Sequence, residues 1–345
     1  MRAVLVAAVL SLSLPALAED AAPQVITPLA EQKPAPLDFS HKPGERVTVT
    51  LENDLFAGRD TDRNYTNGIK FAWMGAAQPT PEWMAELADL LPLVETGHSL
   101  RWLVEAGQSI FTPETLSTET PPDGERPYVG WLYAGASALI EDEHTLDRVG
   151  LLLGVLGPGA GAGSTQADVH GLFGMEDPKG WGSQPDSRPG LVFLLDRMWR
   201  YLATQPNQLV GLEILPHAGL ALGNVYTQGS AGVMLRIGSD LMSAPLPSAV
   251  MPGLPPGAAR QESDGGFAWT MFLDLTGRAV GHNVTVSGLD GEGPDAKPLV
   301  GEATAGLTLS WAGISVTYAQ TIRTAEAKGQ ADGDSFGGFT IGLDF

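Results

Sequence analysis

The sequence predicts an all-β chain: a transmembrane antiparallel β-barrel of about twelve strands, with a short helix in one extracellular loop. Three observations predict it. Segment after segment from Arg46 to Phe345 alternates apolar with polar or small residues, the period of two shown by a strand with one greasy face. Glycine is frequent, 43 of 345 residues, and with Ser and Thr it fills the polar faces, as a barrel lumen allows. Beyond the N-terminal apolar stretch no window offers the ~20 apolar residues, free of Gly, Pro or charge, that a membrane helix needs. A soluble sandwich alternates too. Here, however, aromatics sit on the greasy faces near strand ends, as interfacial girdles do, and the chain closes on Phe339, Ile341, Leu343 and Phe345 at every second position.

The elements follow in order. Residues 1–18 read as a signal peptide: Arg2 supplies the positive start, an apolar run follows, and Ala16-Leu17-Ala18 forms a cleavage site before Glu19. Residues 19–45, rich in Pro and Ala, read as a periplasmic arm, and 46–345 as the barrel. Strands are expected at 46–56, 65–74, 99–110, 128–140, 148–156, 190–201, 209–222, 230–238, 266–277, 299–312, 313–323 and 335–345. An even count returns the chain to the periplasm, so loops 57–64, 111–127, 157–189, 223–229, 278–298 and 324–334 face outward. Connections 75–98, 141–147, 202–208 and 239–265 face the periplasm. Two of these are long. Residues 81–93 pattern as a short amphipathic helix through Trp83, Leu87, Leu90 and Leu91, and 244–259 as a Pro-rich linker.

Composition narrows the chemistry. Without cysteine there is no disulfide framework and no Cys-ligated zinc. A net charge of −20 argues against a nucleic-acid partner, whose binders carry a basic stripe, and is compatible with divalent cations.

Sidedness sorts the six histidines. His41, His98 and His144 fall on the periplasmic side and His217 within a strand, leaving His170 and His282 in outward loops. His282 sits in a Gly-bounded hairpin without patterned polar neighbours. His170 lies in a stretch that reads as a short helix, with Thr165 and Asp168 as a capping-box start and Gly174 as the stop. Gln166 shares its helix face four residues earlier, and Glu176 follows beyond the end. A second constellation closes the first strand, where Asn53-Asp54 meets the rim, and opens the next, where Tyr65-Thr66 precedes Asn67-Gly68, read as turn chemistry. Together these residues offer a base, two carboxylates for a hard cation and hydrogen-bond donors.

On these residues the chain resembles LpxR-family lipid A deacylases. The resemblance is carried by Asn53-Asp54, the segment from Asp62 to Gly68, Gly107-Gln108 with Thr112-Pro113, and the run from Glu125 to Trp131. It continues through Gly157-Pro158 with Gln166 and His170, Gly180-Trp181 with Gln184, and the run from Gly223 to Thr227. What the resemblance implies is a twelve-stranded barrel in the bacterial outer membrane, with a site between the wall and an outer-loop helix facing the extracellular leaflet. It further implies calcium as cofactor, lipid A of lipopolysaccharide as substrate, and cleavage of the 3′-linked acyloxyacyl ester. Carried over by position, the functional residues are Asn53, Asp54, Thr66, His170 and Glu176, with Asp54 and Glu176 as metal ligands. A monomer is expected. One departure is visible: where the family holds lipid A phosphates with basic loop residues, loop 111–127 has Arg126 against Glu114, Glu119, Asp123 and Glu125.

The chemistry expected is water-mediated ester hydrolysis with His170 as general base, Asn53 and Thr66 orienting the water or carbonyl, and Gln166 fixing the imidazole. Three rivals stand beside it: a serine nucleophile at Ser164, an outer-membrane phospholipase with a Ser-His pair, and a non-enzymatic porin or structural barrel.

Overall fold

The computed structural model describes residues 44–57, 63–81, 99–142, 144–175, 177–202, 210–241, 244–250 and 265–345. Among them run twelve long strands: β1 (Arg46–Asn53), β2 (Asn64–Met74), β3 (Ser99–Thr112), β4 (Val129–Glu141), β5 (Thr145–Leu156), β6 (Arg188–Trp199), β7 (Gly211–Gly223), β8 (Tyr226–Gly238), β9 (Ala268–Asn283), β10 (Leu299–Trp311), β11 (Ile314–Arg323) and β12 (Asp334–Asp344). Two short pieces, Gln78–Pro79 and Tyr201–Leu202, extend the pairing of β3 and β7.

Each strand pairs antiparallel with its sequence neighbours, and β12 pairs back onto β1 from Arg46↔Asp344 to Asn53↔Gly337, so the sheet closes into a barrel. Glu45 and Phe345 exchange backbone hydrogen bonds of 2.8 and 3.0 Å and carry the ladder to the last residue. Closure is what a membrane demands, because an open edge would leave backbone groups unsatisfied in lipid.

Alternation then sorts side chains to two surfaces. Leu51, Phe71, Val104, Leu132, Leu153 and Leu275 stand exposed on the outer wall, the band an acyl environment covers. The inner face is polar and paired: Arg236 meets Glu213 at 2.9 Å, Arg323 meets Glu302 at 2.7 Å, His217 meets Asp274 at 2.8 Å, and Arg148 bridges Glu105 and Asp196. Apart from Glu302, which is partly exposed, each of these partners is buried, so removing one would strand the other, at a cost of about 3–5 kcal/mol. Apolar clusters close the interior at two levels. Tyr65, Phe111, Trp131, Tyr226 and Phe336 form one near the loop end, and Met74, Leu103, Leu215, Met234 and Phe272 form the other near the chain-terminal end.

Several expectations shift by a few residues. β1 stops at Asn53, and 54–56 join a 3-10 turn, Asp54–Ala57. β8 starts at Tyr226, four residues early, because Asn224-Val225 alone makes the turn. Gln228 and Gly229, expected in the outward loop 223–229, pair within the ladder. β9 runs on to Asn283, whose side chain accepts the Thr285 N–H at 3.0 Å and caps the single helical turn Val284–Ser287. His282 therefore ends a strand rather than occupying a loop.

Two readings need larger correction. Asn67-Gly68 is not a turn: both residues pair in β2, Asn67 with Ile110 and Gly68 with Ser109. The segment from 244 is not a surface linker either. Ala244, Leu246 and Val250 are buried, Leu246 packs into the lower interior cluster, and the Val250 N–H donates to Glu52 in the lumen. His41, His98, residues 82–93 of the expected amphipathic helix, the signal peptide and the arm up to 43 lie outside the described residues.

The closed ladder makes an expectation. Detergent-solubilised protein should give a β-dominated far-UV spectrum and migrate faster on a gel before boiling than after; a helical spectrum or unchanged mobility would contradict the fold.

Candidate functional site between the wall and a loop helix

β3 shows where the site must be. From Trp102 to Ala106 its burial alternates, with Trp102, Val104 and Ala106 exposed on the outer wall. From Gly107 to Thr112 both faces are buried. Gln108, Ile110 and Thr112 have the parity of lipid-facing residues, so another element must cover the outside of the barrel at this level.

That element is the helix α1 (Ala162–Phe173), from the β5–β6 connection. A 3-10 turn, Pro158–Ala160, leads into it, and the Gln108 amide donates to the Ala160 carbonyl at 2.7 Å. Gly130 makes the seating possible. A Cβ there would lie 2.6 Å from the Ala162 Cβ and 3.0 Å from that of Ala160, closer than packed carbons tolerate. The helix begins one turn before the expected capping box: its N-cap is Gly161, without a side-chain cap, and the Ser164 and Thr165 hydroxyls donate to the Gly161 carbonyl at 2.8 and 3.2 Å. It ends at the expected stop. Gly174 has φ 69°, a left-handed cap that glycine adopts freely, and its N–H returns to the His170 carbonyl.

The face that α1 turns to the wall is unusual in its chemistry. Ala162, Gln166 and His170, at i, i+4 and i+8, are all buried. An ordinary surface helix buries its apolar stripe; this one buries a carboxamide and an imidazole. The Gln166 carbonyl accepts the Trp181 indole N–H at 2.8 Å, and Trp181 stands on a 3-10 turn, Gly180–Ser183, with its ring 4.9 Å from that of Tyr128.

Opposite this face, β1 and β2 present the other half. Asn53, Leu55, Thr66, Asn67 and Ile110 line one small cleft together with Gln166, Val169 and His170. Asn53 accepts the Leu55 N–H at 2.7 Å, which starts the 3-10 turn bearing Asp54. Asp54 is buried and accepts the Arg63 N–H at 3.0 Å, tying the turn to the start of β2. Thr66 is the extra residue of a β-bulge between Tyr65 and Asn67, and its hydroxyl lies 2.7 Å from that of Thr112. A bulge re-aims a side chain out of strict alternation, which is how Thr66 comes to the outer side while Tyr65 points into the lumen.

The structure thus brings Asn53, Thr66 and His170 to one cleft, with Asp54 next to Asn53. Glu176 lies outside the described residues. Ser164 does not line the cleft; its hydroxyl is turned to the helix start. Sequence reasoning did not give a role to Trp181, Ile110, Val169 or Gly130. Gly130 carried a signal, since a glycine at outward parity between Val129 and Trp131 marks a place where another backbone approaches.

The donor atoms around the cleft are oxygens of carboxylate, carboxamide and hydroxyl groups, the set a hard divalent cation takes. Among the described residues no three His, Asp or Glu side chains group closely enough to hold a metal by themselves. A cation here would need neutral oxygens beside Asp54. Basic residues of the neighbouring loops are engaged. Arg63 pairs with Glu114 at 2.5 Å and Arg126 with Glu326 at 3.0 Å. Burial alone would raise the Glu326 carboxyl, but Arg323 and Arg126 outweigh it and hold it down at about 2. Glu326 therefore stays charged near neutral pH.

A family model described as outer membrane protein LpxR matches residues 4–345. Among solved structures, LpxR from Salmonella typhimurium aligns with a TM-score of 0.69 at 19% identity, covering 87% of this chain and 100% of that one. The β domain of the Bordetella autotransporter BrkA and the translocator domain of NalP from Neisseria meningitidis align with TM-scores of 0.40 at 10% and 9% identity. They cover 88% of this chain each, and 98% and 89% of their own. No curated protein matches the sequence.

The seating of α1 can be tested without reference to activity. Gly130→Leu overpacks the contact with Ala162, a cost of about 1–3 kcal/mol. Trypsin should then cut after the exposed Lys179 about tenfold faster than in the wild type while the barrel stays heat-modifiable, because α1 and its following turn detach locally. An unchanged digestion rate would show that the glycine is not what lets the helix sit.

Proposed function

The chain belongs to the LpxR family, and from that membership and the cleft we propose that it is an outer-membrane lipid A deacylase removing the 3′-linked acyloxyacyl chain. One observation carries the reading: the cleft lies on the outer side of the barrel wall, beneath α1, and not in the lumen. A lipid of the outer leaflet stands against that wall. Exposed Leu51, Phe71, Val104 and Leu132 continue from the cleft along β1 to β4, a surface that acyl chains would cover. A porin would need an open lumen, and the described lumen is filled with paired charges and two apolar clusters. A Ser-His phospholipase would need a serine hydroxyl in the cleft as nucleophile, and Ser164 is turned away from it.

His170 takes a proton from water as the water oxygen attacks the ester carbonyl carbon. The tetrahedral intermediate collapses, the C–O bond to the sugar breaks, and the imidazolium returns its proton to the departing alkoxide. Asn53 and Thr66 orient the water and the carbonyl by hydrogen bonds. Gln166, itself held by Trp181, fixes the imidazole side of the cleft. Asp54 and Glu176, completed by neutral oxygens, are the groups that would hold calcium. When bound, that ion supplies Lewis-acid polarisation of the carbonyl and stabilises the oxyanion.

Two measurements test this. In purified protein, His170→Gln should lower the 3′-deacylation rate, followed by mass spectrometry of lipid A, by about 10²–10⁴-fold with the barrel intact. His282→Gln, on the same end of the barrel with its ring 3.1 Å from the Asn224 carbonyl, should be nearly silent. Activity within a few-fold of wild type for His170→Gln would remove the base from the mechanism. Separately, EGTA should abolish turnover and calcium should restore it better than magnesium, which demands a tighter and more regular shell. Undiminished turnover in excess EGTA would return Asp54 to the role of an ordinary rim carboxylate.

A further inference from the structure

The connection after β8 does something its sequence does not announce. Residues 244–250 fold into the barrel, where Pro245 and Leu246 join the lower interior and the chain climbs towards the loop end. Four of its carbonyls and one N–H are taken by lumen side chains. Arg236 donates to the carbonyls of Ala244 and Pro245 at 3.1 and 3.3 Å, Lys70 to that of Ala249, and Tyr133 to that of Val250 at 3.1 Å. At the tip the Val250 N–H donates to Glu52 Oε1 at 2.9 Å, and Glu52 Oε2 accepts the Tyr65 hydroxyl at 2.5 Å. Beside the segment, cavities of about 20 and 50 Å³ remain, room for a few waters and not for a channel.

Glu52 and Tyr65 are lumen residues whose next neighbours, Asn53 and Thr66, stand on the other side of the wall in the cleft. The wall is one residue thick. A clamp on its inner face therefore sets the backbone from which the cleft residues project. We propose that 244–250 is a lumenal plug that seals the barrel and, through the Val250–Glu52–Tyr65 hydrogen bonds, positions Asn53, Asp54 and Thr66 from beneath. The positioning half rests on the deacylase reading; the sealing half does not.

The experiment compares wild type, a variant with 245–249 replaced by five Gly/Ser residues, Tyr65→Phe, Glu52→Gln and Glu52→Leu. Each is read by ion conductance in planar bilayers, by heat-modifiability, and by kcat and KM for lipid A deacylation. Wild type should show no steady conductance and the Gly/Ser variant a stable one. Tyr65→Phe removes one hydroxyl and leaves the ring; it should lower kcat about tenfold or more with KM within about twofold, since misplacement by about an ångström acts on the reacting geometry rather than on lipid binding. Glu52→Gln, which can still accept from Val250, should retain more kcat than Glu52→Leu. Conductance in wild type, or none in the Gly/Ser variant, overturns the seal. Unchanged kcat in Tyr65→Phe and the Gly/Ser variant, or a loss shared equally by KM, overturns the positioning. A wild type without deacylase activity overturns the functional reading instead and leaves the conductance result standing.

Discussion

The structure depends first on closure of one hydrogen-bond ladder. In lipid, a backbone N–H or C=O without a partner costs several kcal/mol, and a sheet has two edges of them. Pairing β12 onto β1, from Arg46↔Asp344 to Asn53↔Gly337 and on to Glu45 and Phe345, removes both edges. Once the ladder closes, the alternation of each strand becomes a division of space. One parity meets acyl chains, and the other meets a lumen that must satisfy its own charges.

How the lumen does so bears on the site. Arginines and carboxylates interlock across neighbouring strands in the Arg278–Glu302–Arg323 set and across loops in the Arg126–Glu326–Arg323 set. Buried pairs of this kind add little net stability against an apolar core, yet losing one partner is expensive, so they hold a register more than they strengthen a fold. The segment 244–250 is tied into this polar interior at both ends, since the carbonyls of Ala244, Pro245, Ala249 and Val250 and the tip N–H are met by Arg236, Lys70, Tyr133 and Glu52.

Near the loop end the wall is used on both sides at once. α1 lies against its outer surface over Gly130 and Gln108, and 244–250 reaches its inner surface at Glu52. Between them stand the short stretches of β1 and β2 that bear Asn53, Asp54 and Thr66. Groups on backbone pinned from two faces lose the freedom that a loop would leave them, which suits the catalytic roles proposed for them. The buried polar stripe of α1 fits the same logic. Burying Gln166 and His170 in place of aliphatic residues sacrifices packing energy, and the return is an imidazole kept beside oxygen donors at the edge of the lipid.

Much was readable from sequence where the information is local. Twelve strands follow from a two-residue period that each segment carries by itself, the α1 stop follows from a glycine that can take φ 69°, and the even count returns both ends of the barrel to one side. The grouping of Asn53, Thr66 and His170 was legible through family resemblance, and their wall side followed from it; periodicity could supply neither. What only the tertiary structure decided is non-local. Thr66 reaches the outer side because of a bulge whose extra residue exists only relative to the partner strand β3. Gln228 and Gly229, expected in a loop, and the turn signal at Asn67-Gly68 yielded to the ladder, since neighbouring strands on both sides outweigh local turn preference. The Pro-rich segment 244–250 has no periodicity to reveal a partner; it lies in the lumen because Arg236, Lys70, Tyr133 and Glu52, far apart in sequence, converge there only after the barrel has closed.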